Sequence, residues 1–316
     1  MIAREGRQAA SGVLVVDKPR GPTSHDVVAR VRRTFKTREV GHAGTLDPMA
    51  TGVLVLALGE ATKLVPYLTS AAKEYEARLE LGRETDTLDA MGNVTAEQSL
   101  DAELLLALDR EGSSLAPRLG EAVAKELGRT LQEPPRFSAI QENGERAYAR
   151  ARRGEAFALE SREVRVHRLI VTGTGTAPAP WIDLRVKADK GYYVRSLGRD
   201  LALALGTVGH LTALRRVDSG GFKEAEACPL DADPDLLRAR LVPLADAARR
   251  ALPALTLTEV GVREARFGRP VRREDLEGDS QEGVPTAWFD KNGTLVAIGT
   301  LEEHGRVLRG FVERTA

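Results

Sequence analysis

Cysteine is nearly absent from this 316-residue chain: Cys228 is the only one. That excludes an intramolecular disulfide and any thiolate zinc cluster, and it fits a reducing compartment, so a cytoplasmic location is expected. The five histidines have no metal-ligand spacing, so no metal is expected. Aromatic residues make up only 4% of the chain. Long apolar runs are missing too. Val13 to Val16 and Val53 to Leu58 are the strongest, too short for a secretory core or a membrane span. Net charge is also lacking, because 46 basic residues balance 46 acidic ones.

The balanced total hides segregation. Residues 1–40 carry nine Lys/Arg against four Asp/Glu, and residues 185–216 carry seven against two. Residues 74–103 carry two against nine, and residues 274–290 hold six acids and no base. Such blocks can place a basic face on a neutral protein, as a polyanion partner requires. They equally describe the solvated faces of amphipathic elements. A hydrophobic fraction of 42% and this length suggest a globular protein of about two domains.

Gly12 to Lys18 predicts a buried strand ended by Pro19, and Thr23-Ser24 predicts the cap of a helix over His25 to Phe35. A glycine-punctuated loop, Gly41 to Gly52, leads into a strand over Val53 to Leu58. Glu74 to Leu81 alternates as a half-buried strand with Tyr75 on its inner face. Helices are predicted over Ala102 to Leu108 and Pro117 to Leu131, and strands over Val164 to Thr172 and Trp181 to Ala188. Tyr192 to Leu205 predicts a strand end passing into a helix, which would put Tyr193 and Arg195 on one strand face and Tyr192 on the other. Leu211 to Val217 leads toward a loop at Gly220-Gly221, and one helical stretch runs from about Asp235 to Leu252. After Pro253, short strand-like runs separated by glycines predict a small β-rich module.

The densest chemical signal is the run Gly41-His42-Ala43-Gly44-Thr45-Leu46-Asp47-Pro48-Met49-Ala50-Thr51-Gly52. Pro48 biases Asp47 toward an extended backbone, which projects its carboxylate from the loop. An isolated Asp-Pro would be an ordinary turn. Here the whole run through Leu64 resembles the signature of the TruB family of tRNA pseudouridine synthases. The likeness continues through Gly12 to Pro19, Lys73-Glu74-Tyr75, Leu81-Gly82 and Thr85 to Gly92. It extends to Pro134 to Ala139 with Gly144 to Tyr148, Lys190 to Leu197, and His210 to Arg216.

That resemblance implies an α+β catalytic domain over residues 10–252 with a mixed, largely antiparallel sheet and a thumb insertion at about 134–155. A PUA-like RNA-binding domain over 253–316 would follow, with Phe267 to Val271 as its best local cue. The implied activity is isomerisation of uridine to pseudouridine at position 55 in the T-loop of tRNA, by base flipping. The alternative is a tRNA-binding or folding helper without catalysis on the same scaffold. Simple RNA holding needs no trio of Asp47, Tyr75 and Arg195. A carboxylate-dependent glycoside hydrolase would want a second acid, and none stands out in these motifs.

By the resemblance, Asp47 is the nucleophile, because a carboxylate can add to sugar or base without a separate activating base. Arg195 orients Asp47 through its forked geometry. Tyr75 stacks on the flipped uracil and relays a proton. Tyr193 lines the pocket, Leu214 packs on the base, and His42 holds the splayed loop. Lys18 meets backbone phosphate or braces the active-site loop. Arg146, Arg150, Arg152 and Arg153 form a basic stripe on the thumb. Gln141 stands where the family places a lysine, which puts one phosphate contact in question. A redox-neutral isomerisation implies no cofactor, and the enzyme is expected to act as a monomer on the T-arm, with the acceptor region reached by the C-terminal domain.

Overall fold

The computed structural model describes residues 10–109, 116–138, 140–142, 144–155 and 157–312. The chain divides into two compact units. One holds Asp47–Gly52 with Ala72–Ser219, and the other holds the chain up to Leu46, Val53–Ala71 and everything from Gly220 onward.

In the first unit, strands Val166–Gly175, Trp181–Ala188, Lys73–Leu81 and Gly209–Ser219 lie side by side in that order, every neighbour antiparallel. At the far edge, Thr51 and Gly52 begin the strand Thr51–Leu58 and pair in parallel with Arg215 and Arg216. Gly52 must be glycine. It has φ 97°, and a Cβ there would stand 2.2 Å from the Arg216 carbonyl oxygen. One face of the sheet is apolar because Ala77, Leu79 and Leu81 alternate inward, and the helix Val194–Ala204 packs there, Gly198 meeting Leu79 and Leu211. The segment Tyr192 to Leu205 is thus helix from its third residue. Tyr193 is the helix cap, so the expectation that Tyr193 and Arg195 share a strand face is overturned. In turn, Leu211 to Val217, to which its pattern assigned no element, is the middle of the eleven-residue strand Gly209–Ser219, and that strand leads into a turn at Gly220-Gly221 as expected.

The helix Pro117–Leu127 stops earlier than its pattern suggested, at the Gly128 cap. Beyond it, residues 131–137 lead out to the thumb. This small outgrowth has a hairpin pairing Gln141 with Arg146, a helix Ala147–Arg152, and a core of Ile140, Ala147, Phe157 and Leu159.

In the second unit, strand Gly12–Lys18 pairs in parallel with Cys228–Pro229, and Val40–His42 pairs antiparallel with the end of Thr51–Leu58. The helix Ser24–Phe35 begins with a reciprocal cap: the Asp26 N–H donates to Thr23 Oγ1, and the Thr23 N–H donates to Asp26 Oδ2. The predicted single helix up to Leu252 is two, Pro234–Ala239 and Leu244–Ala251, separated around Pro243.

The C-terminal residues form a five-stranded sheet, ordered Leu276–Glu277, Ala254–Leu257, Thr286–Phe289, Leu295–Leu301 and Gly305–Gly310. They also include the helix Glu259–Arg266, which the strand-like runs did not suggest. Thr258 caps it by accepting from the Gly261 N–H. Trp288 fills the sheet's own core, and Gly299 leaves room for its ring. The other side of the sheet is not independent. Ala287, Phe289, Leu295, Ile298 and Phe311 share one apolar core with Val13, Val15, Val53 and Val55.

Candidate active site

The centre of the site is an ion pair between residues 148 apart in sequence: Arg195 Nε donates to Asp47 Oδ2 at 2.8 Å. Asp47 is one-third exposed, whereas Arg195 is only 4% exposed. The remaining arginine nitrogens are also engaged. Nη1 donates to the Thr87 carbonyl at 2.8 Å and Nη2 to the Phe137 carbonyl at 2.9 Å. A buried guanidinium is tolerable because all three faces of its fork meet oxygen. Arg195 therefore holds its charge toward Asp47 with each of its three guanidinium nitrogens hydrogen-bonded, which is the arrangement electrostatic preorganisation requires.

The chain on either side of Asp47 is hydrogen-bonded within its own unit. On the preceding side, Ser24 Oγ donates to the Leu46 carbonyl and accepts from the Leu46 N–H, at 3.1 and 2.8 Å. On the following side, Thr51 and Gly52 are zipped to Arg215 and Arg216. Within its own unit, the loop carrying the carboxylate is thus tied to the sheet at its C-terminal end. Ser24 was anticipated only as part of a helix cap.

Asp89 is the residue that sequence reasoning passed over. It is buried, and its Oδ2 lies 3.8 Å from Arg195 Nε, while Oδ1 accepts from Thr87 Oγ1 and the Met91 N–H. A second acid does stand at the centre. Its carboxylate faces the same guanidinium as Asp47 and is held by its own loop, so it shares the charge of Arg195. It lay inside a recognised motif, but nothing local distinguished it from Asp86.

Tyr193 packs against the thumb core of Ile140, Ala147, Phe157 and Leu159. Burial pushes its phenol pKa up, with Arg162 and Arg195 opposing and Asp47 adding to the rise. The strand geometry expected for Tyr193 is absent. Tyr192 points elsewhere: burial raises its pKa well above the ordinary value, with the charges of Glu126, Arg129 and Asp200 nearby.

Tyr75 is half-buried on the strand beside Arg216, whose guanidinium lies 6.0 Å from its ring centroid. Because Arg216 pairs with Gly52 on its other side, Tyr75 is brought toward the end of the Asp47 loop. Leu214 is buried opposite Ala77.

The other expected residues are not among those tied to this pair. Lys18 is fully buried and its Nζ donates to the Pro19 carbonyl, so it has no surface from which to reach a phosphate; only the bracing half of its expectation is compatible. His42 belongs to the other unit, edge-on to His25 with ring centroids 5.4 Å apart. On the thumb, Arg150 is paired with Glu155, and Arg153 with both Glu145 and Glu155. Arg146 and Arg152 instead flank the Tyr148 ring at 6.0 and 5.5 Å. The stripe is thus half neutralised. Gln141 donates to the Gly144 carbonyl within the thumb hairpin. Among the described residues no group of three His, Cys, Asp or Glu could hold a metal, and no helix is long and apolar enough to cross a membrane.

Residues 32–194 match the model for "TruB family pseudouridylate synthase (N terminal domain)", and residues 195–247 match "tRNA pseudouridylate synthase B C-terminal domain". The chain belongs to the TruB family. A relative named tRNA pseudouridine synthase B from Dinoroseobacter shibae is 43% identical over 95% of this chain and 94% of its own length. Another of that name, from Thermobifida fusca, is 41% identical over 92% of this chain and 94% of its own. Among solved structures, one titled as a Cbf5-Nop10-Gar1 complex superposes with a TM-score of 0.69 at 26% identity, covering 96% of this chain and 84% of that one. As a TruB-family member the chain is a pseudouridylate synthase, and the mixed sheet with its thumb is that family's catalytic fold. The boundary between the two family models falls between Val194 and Arg195, so the Asp47–Arg195 pair unites residues from the two matched segments.

Proposed function

We propose that this enzyme converts the uridine at position 55 in the T-loop of tRNA to pseudouridine, with Asp47 as nucleophile and with no cofactor. The observation that carries the reading is the Arg195–Asp47 pair, a partly exposed carboxylate met by a buried arginine whose other nitrogens are bound to backbone carbonyls. The reaction breaks the bond from C1′ to N1, turns the uracil, forms a bond from C1′ to C5, and moves the C5 proton so that N1 is protonated. Atoms and electrons balance without oxidant or metal.

Asp47 attacks the flipped nucleoside, and Arg195 stabilises the carboxylate as leaving group when the new bond forms. Tyr75 stacks on the uracil and carries the proton. Tyr193, kept protonated by burial, donates a hydrogen bond at the pocket edge, and Leu214 supplies apolar packing. Arg146 and Arg152 take RNA phosphates, with Arg150 and Arg153 contributing less because their charge is already shared with glutamates. Residues 253–316 add RNA contact toward the acceptor region, and a single copy acts on each tRNA in the cytoplasm.

The test is to incubate the protein with an unmodified tRNA transcript and map pseudouridine at single-nucleotide resolution. Formation at position 55, abolished by Asp47→Asn, is expected. Modification elsewhere only, or an active Asp47→Asn enzyme, would overturn the reading.

A further inference from the structure

The segment leading to the thumb is fastened to the first turn of the 194–204 helix by a set of bonds that the reaction does not itself require. Gln132 is 1% exposed, and its carboxamide lies against the Tyr193 peptide. Its Oε1 accepts from the Tyr193 N–H at 2.8 Å, and its Nε2 donates to the Tyr193 carbonyl at 3.1 Å. One residue on, the Glu133 carbonyl accepts from Ser196 Oγ at 2.8 Å and from Arg199 Nη2 at 3.2 Å. The Phe137 carbonyl then accepts from Arg195 Nη2.

The chemistry of this segment explains why a glutamine stands there. Pro134 and Pro135 have no N–H to donate, so an ordinary strand ladder cannot continue. A helix start also leaves backbone N–H groups without intrahelical partners, and Tyr193 is the cap. A carboxamide carries the same acceptor and donor as a peptide group, so Gln132 completes in side chain what the backbone cannot. A buried amide left unpaired would be costly, which makes this two-point fit specific.

We infer that Gln132 is a positioning residue for pseudouridine formation: it fixes the Tyr193 peptide, hence the axial placement of the 194–204 helix, hence the seat of Arg195 on Asp47. It touches neither RNA nor the reacting atoms. Because Gln132 belongs to the stalk of the thumb and Tyr193 packs on the thumb core, the placement of Arg195 is tied to that of the RNA-gripping element. The inference rests on the proposed function and extends it to a residue outside the pocket.

The experiment measures single-turnover pseudouridine formation and tRNA Kd for wild type, Gln132→Met, Arg195→Lys and the double variant, with thermal unfolding of each. Met is close in volume and leaves the Tyr193 N–H without its acceptor. The rate is expected to fall roughly ten- to a hundredfold, since displacement of a catalytic group by about 1 Å can cost on that scale, with Kd little changed. The double variant should be no slower than Arg195→Lys alone, because residues acting through one another are not additive. Gln132→Glu keeps the acceptor for the Tyr193 N–H and should fall between wild type and Met; it carries the same cycle if Gln132→Met does not fold. A wild-type rate in both Gln132 variants, a loss seen only in Kd, or losses that multiply with Arg195→Lys would overturn the inference. Absence of pseudouridine with the wild-type enzyme would instead sink the functional reading.

Discussion

The arginine paired with Asp47 and the arginines of the thumb use the same guanidinium in opposite ways. Arg195 is buried and every nitrogen meets a fixed oxygen, two of them backbone carbonyls that cannot rotate away. Arg146 and Arg152 are exposed and lie against an aromatic ring, while Arg150 and Arg153 share exposed glutamate partners. On the proposed function, the difference separates two tasks. A charge that must act on a transition state is aimed in advance, at the cost of desolvation, by a rigid surround. A charge that must follow a polyanion stays in water, where it keeps its long reach and loses little on exchanging one partner for another.

The sharpest way to break this comparison is at Asp47. Asp47→Asn keeps the shape and loses the charge and the nucleophile, so turnover should vanish while tRNA Kd stays within a few-fold. A single-turnover assay beside a filter-binding isotherm checks both. Near-normal turnover would mean that the Arg195 pair is structural only.

Tyr75→Phe comes next. It retains the ring beside Arg216 and removes the hydroxyl, and a positioned acid-base group is worth about 10²–10⁴-fold in rate. The kcat should fall on that scale with KM nearly constant. Unchanged kcat would leave Tyr75 as a stacking surface alone.

Paired substitutions on the thumb sharpen the contrast between its own arginines. Arg146→Ala with Arg152→Ala should raise KM several-fold and spare kcat, flattening the plot of log K against log salt by about 0.7–0.9 for each phosphate that is no longer neutralised. Arg150→Ala with Arg153→Ala should do less, because glutamates 145 and 155 already take up those charges. Equal effects from the two pairs would show that RNA displaces the glutamates at no cost.

The smallest effect concerns stability. Burial first, then Arg216 and Lys190, push Lys73 from its ordinary 10.5 down to about 8. The native state thus sheds this proton at lower pH than the unfolded chain does. Between about pH 8 and 10.5 the unfolded state binds more protons, so this group makes stability rise with pH there, whereas below pH 8 its buried charge is a burden. Denaturant titrations should show wild type gaining on Lys73→Met as pH is raised through that window. A constant difference between the two would place the titration elsewhere.

Removing residues from 253 onward is a poor way to test the C-terminal sheet's part in RNA binding. Phe289, Ile298 and Phe311 would leave a hole beside Val13 and Val53, and lost binding could not be told from lost folding. Substitutions at exposed positions are cleaner. Phe267 is 70% exposed with the Arg269 guanidinium 5.1 Å from its ring centroid.

Local sequence determined the parts that depend on near neighbours. The strands Gly12–Lys18 and Trp181–Ala188 and the helix Ala102–Leu108 fall where their patterns put them, because alternation, caps and breakers act within a few residues. Asp47 was likewise legible, since Pro48 and the surrounding glycines mark its loop. Tertiary structure decided what depends on residues far apart. The stretch from Leu211, to which the local pattern assigned no element, became central strand because Lys73–Leu81 pairs along its length up to the expected turn at Gly220-Gly221. Tyr193 and Arg195 went to a helix start because Gln132 and the carbonyls of Glu133 and Phe137 bind there. Asp89 acquired its place only when the chain brought Arg195 to it, and no pattern in a linear sequence records which of two neighbouring acids will face a cation a hundred residues away.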